Sequence, residues 1–255
     1  MPHKKENISF IKQNYSNFIN SLGNINLKIF LILILDILFY YTLMQTGRFL
    51  ITQIQKKSTN IDLSQNLLEL SQQNAAQLLS SLRGFFFFII ISLILFVIAV
   101  IINWSIIKGI IWSFTKHNKP SLKFMKKFLL LNFIWLPIWT VIFLLIAFGI
   151  KQEAAPIFMI IAFILAIYLT NILYPLFLAD NKITNIKKSL RLGFKKIHYF
   201  IFPYIIIIVF FLILSKIYSI ATLGININPN VSYALIIIYI AWVRYYMIEV
   251  VDSII

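Results

Sequence analysis

The chain has 255 residues, 60% of them hydrophobic and 12% charged, with a formal net charge of +15. A soluble domain of this length needs a polar shell that such a composition does not supply, so part of its solvent must be lipid. Cysteine is absent, which excludes disulfides and thiolate metal sites. The basic residues are spread among several loops instead of forming the single stripe expected of a nucleic-acid-binding surface.

The amino-terminal stretch "MPHKKENISFIKQNYSNFINSLGNINLK" is polar and too long to be a cleaved signal, so the first apolar run is expected to stay in the protein. Six runs are long enough to cross a bilayer as helix, at about 28–46, 85–107, 128–149, 157–178, 199–218 and 233–251. Between the first two, residues 47–83 carry leucines at 63, 67, 70, 78 and 82, steps of an amphipathic helix. Thr59 and Asp62 have the spacing of a capping box, and Gly84 marks a break before the second span. An outer helical hairpin joined near Ser58 to Asn60 follows. The fold expected is all-α and integral to a membrane, one polytopic domain over 1–255. It has six transmembrane helices, the outer hairpin, and basic amphipathic helices on the inner face.

Lysines and arginines near span ends orient the chain. Loop 108–127 holds Lys108, Lys116, Lys119, Lys123, Lys126 and Lys127; loop 179–198 holds Lys182, Lys187, Lys188, Arg191, Lys195 and Lys196. Lys4, Lys5, Lys12 and Lys28 precede the first span, and the alternate loops are poorer in cations. Both termini are therefore expected in the cytoplasm, with the protein in the cell membrane. The two rich loops read first as topology signals. Contact with anionic lipid through Lys123, Lys126, Lys127, Lys187, Lys188, Arg191, Lys195 and Lys196 is the further role considered.

The segments "SLKFMKKFLLLNFIWLPIW" (121–139) and "SLRLGFKKIHYFIFPYIII" (189–207) share an order: Ser-Leu, paired lysines, aromatics, then a proline early in a span. They suggest a parallel internal repeat, set against chance similarity among Lys- and Phe-rich segments. "FIKQNYSNFINSLGNINLKIFLILI" reads as a degenerate third copy, with span six as its missing partner. The segment "NIKKSLRLGFKKIHYFIFPYIIII" (185–208) resembles the recurring segment of the polytopic membrane domain attached to some glycerophosphoryl diester phosphodiesterases, and of related prokaryotic membrane proteins. That resemblance implies a membrane-embedded accessory domain. The catalytic barrel of those enzymes has no counterpart here.

Motifs of catalysis are missing from the sequence. His3, His117 and His198 lie far apart, and neither a His-Glu-x-x-His, a Gly-x-Ser-x-Gly nor a phosphate-cradling glycine loop occurs. The expectation is a non-enzyme with no cofactor and no metal. Two charges stand deep in the spans, Asp36 in "ILILDILFYY" and Arg244 in "YIAWVRYYMIEVV". Each is eight residues, or about 12 Å, from a charged residue at the inner edge. Opposite charges at equal depth have reason to pair, because either alone costs about 2.5–3.5 kcal/mol at span centre. The alternatives are a neutral, protonated Asp36 and an Arg244 that snorkels inward. Ala234 and Ala241 offer span one a small-residue seam, and Asn103, Asn132 and Asn171 add polar groups to the same inner half. These features lead to an accessory or scaffold protein that contacts membrane lipids or a protein partner. The rival is a transporter of small molecules or lipids with a cavity open to the cytoplasm.

Overall fold

The structure, a computed structural model, describes residues 10–25, 27–59, 72–221 and 229–255. All the elements among the described residues are α-helices: α1 (Phe10–Gly23), α2 (Lys28–Ser58), α3 (Gln72–Thr115), α4 (Leu122–Gly149), α5 (Ala155–Asp180), α6 (Asn185–Lys195), α7 (Ile197–Ala221) and α8 (Pro229–Ile254). Six of them (α2, α3, α4, α5, α7 and α8) contain windows long and apolar enough to cross a membrane. The protein is thus an all-α, multi-pass membrane protein.

Local chemistry explains where several helices stop and start. Ser121 is extended (φ −96°, ψ 152°) and its hydroxyl accepts the Phe124 backbone N–H, a side-chain N-cap for α4. Asn181 closes α5 in the left-handed region (φ 55°), its N–H donating to the Phe177 carbonyl at 2.8 Å. Pro137, Pro175 and Pro203 lie inside α4, α5 and α7, as membrane helices tolerate when neighbours re-satisfy the freed carbonyls.

α2 continues past residue 46 to Ser58, in line with an outward arm of span one. Three boundaries differ from the sequence reading. α3 passes unbroken through Gly84. Thr59 ends α2 instead of opening a second arm: its hydroxyl donates to the Lys56 carbonyl. Asp62, Leu63, Leu67 and Leu70 lie outside the described residues, so the tip of the expected hairpin does too. The third difference has chemical consequences. α3 runs on to Thr115, which moves Lys108 from a loop into a span and buries it at 6% exposure.

α2 and α3 pack antiparallel, with Asp36 beside Lys108 and Thr42 beside Asn103. α7 and α8 do likewise, the Tyr239 hydroxyl donating to the Ile207 carbonyl and Tyr218 bonding Ser232. The bundle's largest apolar cluster joins α3, α4 and α5 through Trp112, Phe128, Trp135, Leu173 and Phe177.

The three segments that share the repeat pattern occupy related places. α6 rises antiparallel along the C-terminal part of α5, from Asn185, whose amide donates to the Leu176 carbonyl, to Gly193, whose carbonyl accepts from Tyr168. α1 rises in the same way along α8, from Gln13 at Ser253 to Ser21 at Trp242. The first turns of α4 rise along α3, with Met125 and Phe128 against Gly109. A short break separates α1 from α2 and α6 from α7, while α4 runs continuously from its basic start into the span.

Candidate functional site: a buried carboxylate with two cations

Helical spacing brings three charged side chains to the centre of the bundle. On α2, Ile32, Asp36 and Phe39 form its buried face. On α3, Ile101, Ser105, Lys108, Trp112 and Thr115 recur at three- and four-residue steps and are all buried. On α8, Ala241, Arg244, Tyr245 and Ile248 do the same. Asp36 is 1% exposed where these faces meet.

Arg244 grips the carboxylate with both arms, Nη1 to Oδ2 at 2.6 Å and Nη2 to Oδ1 at 2.9 Å. This is the two-point geometry that the planar guanidinium favours. Lys108 Nζ donates to Oδ1 at 2.6 Å. Its ammonium also lies over the Phe39 ring, 4.3 Å from the centroid, and within 5.8 Å of Trp104, so cation–π attraction supplies part of what a second carboxylate would. The cluster holds one anion against two cations, an excess of one positive charge when all three are ionised.

The structure therefore brings Asp36 and Arg244 together and adds Lys108, a residue that the span boundaries read from the sequence place in a loop. A signal for it exists in "NWSIIKGIIWSF" (103–114): Lys108 is flanked on both sides by apolar residues and continues the helical period. Ala241 is fully buried with Ile32 and Phe39 beside the cluster, whereas Ala234 is exposed, so the small-residue seam is one residue long.

The three asparagines go elsewhere. Asn132 accepts the Tyr174 hydroxyl proton at 2.7 Å, and Tyr174 accepts the Trp104 indole N–H at 2.8 Å. An indole N–H can only donate, so this order is forced, and it leaves the Asn132 Nδ2 without a hydrogen-bond partner. Asn103 meets Thr42 at 3.1 Å. Asn171 donates to Tyr204 at 3.3 Å across the α5–α7 contact. None of these bonds reaches Asp36 or Arg244. Trp104 links the two systems by packing: it stacks edge-on to Phe39 and donates to Tyr174.

Lys123, Lys126, Lys187, Lys188, Arg191, Lys195 and Lys196 are exposed and Lys127 is half-buried. Those of α6 lie opposite its buried Asn185, Ser189 and Gly193. Lys196 also donates to the Ile254 carbonyl at 3.3 Å. A cavity of about 210 Å³ lies at the α3, α4 and α5 ends, lined by Ser113, Asn118, Lys119, Ser121 and Asn181 among others. Another of about 740 Å³ lies along Leu79–Ile90 of α3. Neither is lined by a member of the charged cluster. Among the described residues no group of three His, Asp or Glu side chains is placed to hold a metal; His3 is outside them.

These features define the class, a multi-pass helical membrane protein with a closed ionic cluster at its centre. Comparison with protein-family models, curated proteins and solved structures found no match.

Proposed function

We propose that this is a non-catalytic membrane scaffold or accessory protein, which contacts lipid or a partner protein through its outer surfaces. One observation carries the reading: Asp36, Lys108 and Arg244 satisfy one another at 1%, 6% and 7% exposure, with neither described cavity reaching them. A transport site must meet water from at least one side, whereas a structural lock gains from staying dry. The resemblance of residues 185–208 to an accessory membrane domain points the same way. In this reading the protein lies in the cell membrane with both termini and the lysine-rich segments in the cytoplasm, following the charge bias. The exposed lysines of α4 and α6 then face anionic lipid headgroups, each worth about 1 kcal/mol near the surface.

The test uses the absence of native cysteine. Ser105 is 1% exposed and one helical turn from Lys108 on the same face of α3, and Ser105→Cys is close to isosteric. In native membranes this thiol should resist an impermeant maleimide applied to either side, while Lys123→Cys reacts from one side. Labelling at position 105 would mean that water reaches the cluster and would favour the transporter.

A further inference from the structure

We propose that α1 is a seventh membrane-embedded segment, a half-inserted helix whose Tyr15, Ile19 and Leu22 contact the acyl chains of one leaflet. The inference goes beyond the scaffold reading and rests on the six spans crossing a bilayer.

The first observation is the inversion of the helix. Asn14, Asn17 and Ser21, at steps of three and four, are 4%, 7% and 0% exposed, whereas Tyr15, Ile19 and Leu22 are 65%, 46% and 38% exposed. A helix resting on a soluble protein turns its apolar face inward. Here polar groups meet the protein beside Phe18, while Ser16 and Asn20 share the outward side with the apolar stripe: Asn17 donates to the Ser253 hydroxyl at 3.0 Å and Trp242 donates to the Ser21 hydroxyl at 3.1 Å. Hydrogen bonds of this kind hold helices together where water does not compete and outward contacts are with hydrocarbon.

The second observation is depth. Phe18 packs edge-on against Phe210, Trp242 and Tyr246, with centroids 5.7, 5.7 and 6.2 Å away. Phe210 lies 13 residues beyond Ile197, the first residue of α7, which is about 20 Å along a helix axis. Trp242 lies 12 residues before Ile254, where α8 ends, about 18 Å. The hydrocarbon core is about 30 Å thick, so the far end of α1 sits alongside the middle of two spans. Its 14 residues reach about 21 Å and cannot cross. An amphipathic helix lying flat in the interface would not follow α8 in this antiparallel way.

The third is continuity. α1 touches α7 through Phe18 at Phe210, and α7 carries exposed apolar residues next to that contact, Ile208, Val209, Phe211 and Leu212. Hydrocarbon is the one occupant that suits both surfaces without a seam.

A spin label at Ile19→Cys in reconstituted bilayers tests this. Its accessibility to oxygen, which concentrates in lipid, relative to a water-soluble nickel chelate should be several-fold higher than for a label at Lys123→Cys. Strong nickel accessibility at position 19 would overturn the proposal by placing the stripe in water. Protection from both reagents would overturn it by placing a protein, such as a second copy of this chain, on the stripe. Ile94→Cys on α3, 54% exposed, is the control: if it also reads as water-facing, the membrane reading fails and not the placement of α1. Leu22→Cys gives an independent reading should the Ile19 variant not elute as a folded, monodisperse species.

Discussion

Charge counting at Asp36 ranks three substitutions. Asp36→Asn leaves Lys108 and Arg244 facing each other without their carboxylate, whereas Arg244→Gln leaves Lys108 paired on Oδ1 and Lys108→Met leaves Arg244 paired on both oxygens. Removing one partner from a buried ionic pair costs about 3–5 kcal/mol. Asp36→Asn should therefore lower the folded yield most, with the two cation variants closer to wild type. Adding Arg244→Gln to Asp36→Asn still strands Lys108, so recovery should require Lys108→Met as well. Fluorescence-detected size exclusion after a heating series reads the order, and a Lys108→Met variant as damaged as Asp36→Asn would contradict the counting. Asp36 and Arg244 were legible in the sequence because each interrupts a long apolar run. Lys108 was not, because a lysine near the end of such a run looks the same whether it closes the helix or turns inward. The apolar residues on both sides of Lys108 favour the inward turn, and packing against α2 and α8 completes the assignment.

Helix contacts turn on two glycines with different neighbours. A Cβ at Gly193 would lie 2.7 Å from Leu169 Cδ2, and Leu169 is itself fully packed at 1% exposure. A Cβ at Gly109 would meet the Phe128 ring edge at 3.0 Å, where a shift of a few tenths of an ångström is enough, and the tip of Met125 at 3.1 Å, which can swing aside. Gly193→Val should thus prise α6 from α5, weaken the bond from Tyr168 and cost about 1–3 kcal/mol by overpacking. Gly109→Ala should be close to neutral, since losing a mid-helix glycine returns up to about 1 kcal/mol. Limited trypsin digestion reports the difference: cleavage at Lys187 and Lys188 should accelerate in Gly193→Val and stay unchanged in Gly109→Ala. At this scale the spans themselves were legible, because length and hydropathy set them. The division of α6 from α7 at Lys196, against the unbroken α4, was not. "MKKF" and "FKKI" carry the same chemistry, and α6 alone has a small residue, Gly193, that lets it lie flush on the preceding helix.

For the molecule as a whole, the pairing of α1 with α8 gives the repeat a closed form. Each descending helix (α3, α5, α8) carries on its C-terminal half a rising segment that leads into the next span: the start of α4, then α6, then α1. In the third case the pairing is made between chain ends instead of across a loop, since Gln13 Nε2 donates to the Ser253 carbonyl at 3.1 Å. Asn24 adds a bond to Glu249 at 2.8 Å. Contacts, not covalent order, then hold α1 on α8. The fold should tolerate a circular permutation that joins Ile255 to Phe10 through a short flexible linker and opens the chain between Thr59 and Gln72. The permuted chain keeps the rising segments on their partners and puts both new ends at the tips of α2 and α3. On the orientation proposed above the new ends lie outside, so the permutant needs a cleavable leader ahead of Gln72 and its α2 end should be accessible from outside. Its folded yield and elution should match the native order. A permutant that inserts but elutes as aggregate, alongside a native-order chain that folds with residues 1–23 deleted, would show that the α1–α8 pairing does not hold the fold together.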